Sequence, residues 1–234
     1  MNVSKTAWLA LFPLSLLVGC GSEDPGANPG NDGGGDSCQL PAGALLPWKV
    51  GNKWTYKVTE DGMPSQKVTT IGAVEAVGMG PNATKMANKV VTKKGLMDQT
   101  ISWQGPEGDK IVRYREQSYS ASNGALELEE YWEPHKLHVD GSAEHMKKTS
   151  APWIEEYKET KVPTGGAATS HAAMDAWIVI SECEAVTVPA GTYKAIKLSK
   201  TGGDTKFYWY APGVGKVKET GGQMEELQSF EAAP

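Results

Sequence analysis

The sequence predicts a mostly β protein built on a single strongly curved antiparallel sheet, a half-barrel with few or no long helices. Three observations predict it. Runs rich in Val, Thr, Tyr and Trp recur at roughly ten-residue spacing, each cut from the next by Gly, Pro or Asn, and the 234 residues include 27 Gly and 14 Pro. Near the start of the folded part, Trp54, Tyr56 and Val58 alternate with Lys53, Thr55, Lys57 and Thr59, a period of two. Near its end, Val186 to Lys218 reads as strands cut by turns at Pro189-Ala190-Gly191, Gly202-Gly203 and Pro212-Gly213. Within that stretch Phe207-Tyr208-Trp209-Tyr210 leaves neither face fully wet, which suits a strand inside a curved sheet.

The chain opens on a targeting segment. Lys5 supplies a positive start, and Ala7 to Val18 is an apolar run too short to span a bilayer. It ends in Leu17-Val18-Gly19-Cys20, which resembles a bacterial lipobox. Residues 1–19 are therefore expected to be a lipoprotein signal peptide, with Cys20 acylated as the first mature residue. Residues 20–37 are expected to be a tether. From Gly21 to Ser37 there are six glycines, two prolines and no large apolar side chain, too little apolar surface to fold. Its reach is roughly 20–25 Å, enough to hold a domain just off a membrane. Glu23, Asp24, Asp32 and Asp36 all lie in it, so most of the net charge of −5 belongs to the tether and the domain from residue 38 to 234 is near neutral. A near-neutral domain argues against nucleic-acid binding, which needs a basic face.

In the domain, strands are expected at 53–59, 66–74, 85–92, 97–104, 110–116 and 125–132, with a turn at Asp61-Gly62 after the first. A short strand around Leu137 and Val139 ends at Asp140-Gly141. Strands at 153–161 and 176–183 lead into the Val186–Lys218 stretch, and 223–230 closes the domain. The one fair helix signal is at 167–175.

"LPWKVGNKWTY", "VTVPAGTYKAIKL" and "WYAPGVGKVK" together resemble the TapB-like family of uncharacterised bacterial envelope lipoproteins. The resemblance spans Leu46 to Lys218 and implies a fold related to the LolA/LolB-like half-barrel, without implying catalytic residues or a ligand. The weak helix signals depart from the lipoprotein carriers themselves.

Candidate sites are few. With Cys20 acylated, Cys38 and Cys183 remain as a pair for one disulfide, worth roughly 4–5 kcal/mol on the chain-entropy model for a loop of that length. Two unpaired thiols are the alternative. His135, His138 and His145 lie close in sequence, but residues 135 and 138 point to opposite faces of a strand, so no metal site is expected. Adjacent Ser170-His171 lacks hydrolase geometry, and no G-x-S-x-G, H-E-x-x-H or P-loop occurs. Glu129-Glu130, Glu155-Glu156 and Glu225-Glu226 alternate faces and do not form acid–base pairs. Neither an enzyme nor a cofactor is expected. The abundant aromatics either fill the core or, at Trp54, Tyr56, Phe207 and Trp209, line an apolar cavity. The expectation is a lipid-anchored protein of the bacterial envelope, at the outer rather than the inner membrane, binding an apolar ligand or lipid in the concave face of its sheet. A structural or protein-interaction lipoprotein with a self-filled core is the alternative.

Overall fold

The computed structural model describes residues 45–95 and 97–234. Among them every regular element is a strand: β1 (Lys53–Glu60), β2 (Met63–Ala76), β3 (Met86–Lys94), β4 (Asp98–Glu107), β5 (Lys110–Tyr119), β6 (Leu126–Asp140), β7 (Trp153–Pro163), β8 (Thr169–Val188), β9 (Gly191–Thr201), β10 (Lys206–Ala211), β11 (Gly215–Thr220) and β12 (Met224–Glu231). Each pairs antiparallel with its neighbour in sequence, and β12 returns to β1. The sheet is a closed barrel.

Closure corrects the expected half-barrel. Strand β1 is paired on both sides, so that Tyr56 faces Lys67 of β2 and Leu227 of β12. With no helix among the described residues to cover a concave face, an open sheet of this length would leave two unpaired edges and a wet apolar surface. Pairing first strand to last removes both edges. The helix signal at 167–175 is also overturned. Residues 169–175 of this run open β8 and pair with β7 from Lys161↔Thr169 to Glu155↔Asp175, a ladder that outweighs local helix propensity.

The turn chemistry follows the sequence. Asp61 and Gly62 both have positive φ, 50° and 78°, which a two-residue hairpin loop requires, and Glu60 pairs directly with Met63 across it. Bulges occur within the β5–β6, β8–β9 and β10–β11 pairings, among others, bending long strands such as the 20-residue β8 around the barrel. Outside, Lys57, Lys93, Glu127, Glu156 and Lys158 stand exposed within strands. That face is not the apolar band of a membrane-spanning barrel.

The entering segment closes one end. Leu45 and Leu46 are buried and join a core with Trp54, Ile71, Leu137, Trp177 and Tyr210. Trp48 Nε1 donates to Asn88 Oδ1 at 2.8 Å, and Asn52 Nδ2 donates to the Pro47 carbonyl at 2.9 Å, fixing the segment to the barrel wall. Gly215 makes room for it. A Cβ there would lie 2.7 Å from Leu46 Cδ1, at a φ of +97° that favours glycine in any case. On the flank of the barrel, the 77–85 loop packs against β5 and β6. Arg115 Nη1 donates to the Val77 carbonyl at 2.7 Å, and Asn82 Nδ2 donates to the carbonyls of Trp132 and Pro134.

Candidate functional site: the barrel interior

A cavity of about 360 Å³ occupies the barrel. Alternation of side chains places its wall. On β1 the inward residues are Trp54 and Tyr56, on β2 Lys67, Thr69 and Ile71, and on β10 Tyr208 and Tyr210. Toward the end closed by Leu46 and Trp48, the wall is apolar and aromatic, with Trp54, Ile71, Leu137 and Trp177. Toward the hairpins that join β9 to β10 and β11 to β12, it is polar, with Thr92, Lys206, Glu219, Gln223 and Glu225. The cavity is two-ended rather than uniformly apolar.

Its polar half is a network of buried charge. Glu225 accepts from Lys67 and from Lys216, the latter at 2.9 Å. Lys216 also pairs with Glu219, which lies 3.4 Å from Lys206. Lys200 donates to Asp175 at 3.0 Å. Lys136 lies 3.5 Å from Glu159, and Arg113 Nη1 2.7 Å from Glu116. Tyr56 donates its hydroxyl to the Lys216 carbonyl at 3.0 Å.

Electrostatics inside the network follow from who shares whom. Burial alone would raise Glu225, but the charges of Lys216 and Lys67 and their hydrogen bonds outweigh it and hold the carboxyl at about 2. Burial would lower Lys216; Glu219 and Glu225 more than offset that and raise it well above the usual lysine value. Lys67 is pushed down, by burial first and then by repulsion from Lys216, because it shares Glu225 with that stronger neighbour. Lys200 is likewise lowered, burial outweighing the attraction of Asp175. His138, half-buried against the cavity, has no hydrogen-bond partner among the described residues. Burial, then the positive charges of Arg113, Lys216, Lys67 and Lys200, keep its ring neutral.

No family model matches the chain, and no curated protein matches it. Two solved structures resemble it. One is a Bacteroides fragilis protein described as exported and of YmcC-like fold, 12% identical, with a TM-score of 0.46 over 80% of this chain and 98% of that one. The other is a Parabacteroides distasonis protein described as a lipoprotein, 13% identical, with a TM-score of 0.39 over the same shares of the two chains. Neither resemblance carries an argument about what this chain does.

The residues singled out from sequence are distributed as follows. Trp54 and Tyr56 line the cavity. Phe207 and Trp209 do not: alternation along β10 turns them to the opposite face, where Lys197 lies over both rings and Trp209 Nε1 donates to Glu184 at 3.1 Å. The three histidines go to three places. His135 Nδ1 is 3.2 Å from Glu107, His138 borders the cavity, and His145 Nδ1 bonds Asp140 at 2.6 Å while stacking on Trp153. Ser170 bonds Thr160 at 2.7 Å on the surface, and His171 lies 3.4 Å from Glu159. Cys183 is exposed on β8 and disulfide-bonded. Cys38 and Cys20 lie outside the described residues.

Sequence reasoning passed over the interior charges. In β11, Lys216 and Lys218 read as one face of a strand. A bulge against β10, where Trp209 pairs with Lys218 and Tyr210 with Lys216, turns Lys216 and Glu219 inward and leaves Lys218 outside on Glu226. Glu225 was within reach, since it shares a face with Leu227 by simple alternation, opposite Glu226.

Proposed function

We propose that the chain is a bacterial envelope lipoprotein, held to a membrane through acylated Cys20 and the 20–37 tether, whose barrel receives one small molecule in its interior. One observation carries the binding reading: a space of about 360 Å³ left open inside a closed barrel, at the small end of the roughly 300–1,000 Å³ of known ligand sites, with an apolar end and a polar end. A structural barrel would be expected to fill that space with its own side chains. The leader sequence, with its lipobox-like Leu17-Val18-Gly19-Cys20, supports the envelope and the anchor. The reading is of a binding protein and not an enzyme.

A second reading has an observation of its own. Each wall cation already has a carboxylate neighbour, as a self-sufficient interior would arrange it. Extraction separates the two. Small molecules extracted from the full chain purified from the envelope, and weighed by mass spectrometry, should include one species in near-equal amount to the protein. That species should be missing from Thr92→Trp, in which an indole fills the cavity, provided the variant keeps the far-ultraviolet spectrum of the parent. Equal recovery from both proteins, or none from either, contradicts the binding reading and leaves the self-filled barrel.

A further inference from the structure

The chemistry of the wall names a class of occupant, and the argument rests on the reading of the barrel as a receptacle. Six bases border the cavity: Lys67, Arg113, Lys136, Lys200, Lys206 and Lys216. Two acids border it, Glu219 and Glu225. The other carboxylates that pair with these bases, Glu116, Glu159 and Asp175, are not part of the wall.

In each of three pairs the base is more exposed than its carboxylate partner. Lys67 keeps 17% of its side-chain surface open against 1% for Glu225, Lys200 17% against 4% for Asp175, and Lys206 37% against 7% for Glu219. A molecule in the cavity meets six bases against two carboxylates. At short range in a medium less polar than water, the nearer charge dominates. The unpartnered ring of His138 adds a donor or acceptor at the same level. The opposite end is bordered by the indoles and aliphatic side chains of Trp48, Trp54, Ile71, Leu137 and Trp177.

We infer that the occupant is a small organic anion with an apolar body, its carboxylate or phosphate lying among Lys67, Lys200, Lys206 and Lys216 and its body against Trp54, Leu137 and Trp177. The head meets Lys206, the most open of the four, and the more enclosed Lys67, Lys200 and Lys216. The body meets the closely packed apolar end of the cavity, where Trp54, Leu137 and Trp177 form the wall. Neither a cation nor a neutral amphiphile matches both ends.

Calorimetric titration of the full chain in lipid nanodiscs tests this with octanoate, octanol, octylammonium and inorganic phosphate, each run also against Thr92→Trp so that uptake into the lipid is subtracted. Octanoate is expected to bind in the cavity at least tenfold more tightly than octanol or octylammonium. Lys206→Glu should erase that preference, because it inverts the most open of the four head-group charges. Octanol binding as tightly as octanoate, with both lost in Thr92→Trp, overturns the anion and leaves the receptacle standing. Phosphate binding as tightly as octanoate overturns the two-ended ligand. Binding of none of the four above the level of Thr92→Trp overturns both this inference and the receptacle.

Discussion

Replacing Glu225 by Gln isolates the keystone of the interior network. The side chain is 1% exposed and holds two lysines, and the amide keeps its shape while removing its charge. Two routes give the cost. The carboxyl sits at about 2 in the fold against 4.5 when unperturbed, a gap that corresponds to about 3 kcal/mol. Independently, removing one partner of a buried ion pair typically costs about 3–5 kcal/mol. Lys67 and Lys216 border the cavity and can draw water from it, which favours the lower figure. The expected loss is therefore about 3 kcal/mol at pH 7. The sign of its pH dependence follows from the depressed value: the stabilisation is complete above 4.5 and is lost as pH falls toward about 2. Urea denaturation of the full chain and of Glu225→Gln at pH 7, 5 and 3 should show a gap that is largest at pH 7 and shrinks at pH 3, with unchanged m. A gap under about 1 kcal/mol at pH 7, or one that does not shrink with acid, would refute the ion-pair reasoning.

Three further outcomes are expected. Cys20→Ser should abolish fatty-acid labelling and release the chain from membranes; continued labelling of the variant would end the lipobox reading. Gly80→Ala should cost about 2–4 kcal/mol in urea denaturation, since the added Cβ would lie 2.2 Å from the Tyr131 ring at a φ of +73°, and a neutral result would mean that the 77–85 loop does not rest on that ring. Tyr56, Tyr114, Tyr131, Tyr157, Tyr208 and Tyr210 are all raised, by burial first, with Tyr131 at about 12, so phenolate absorbance at pH 11 should be small in the native chain and should jump on adding urea; full ionisation before unfolding would contradict their burial.

The strands were legible because their signal is local. Alternation in 53–59, the Asp61-Gly62 turn and the breaks at Gly202-Gly203 and Pro212-Gly213 all sit where a few neighbouring residues decide the backbone. Closure was not legible, because Tyr56 meets Leu227 across nearly the whole domain and no periodicity within either strand reports that pairing. The 167–175 run misled because its alanines say little until β7 supplies a partner. The cavity was half legible. Trp54 and Tyr56 follow from the period of β1, whereas choosing Phe207 and Trp209 over Tyr208 and Tyr210 required knowing which face of β10 turns inward. The cationic wall was hidden for a different reason: a lysine alternating with apolar residues normally marks the wet face of a strand, and here several such lysines line the enclosed interior of the barrel.

The most direct measurement is a crystal structure of the full chain purified from the envelope with no ligand added. Continuous electron density is expected in the cavity, reaching from the Trp54 and Trp177 rings to the lysines at its polar end. Separate water molecules bridging Lys67, Lys216, Glu219 and Glu225, with nothing against the indoles, would contradict the binding reading.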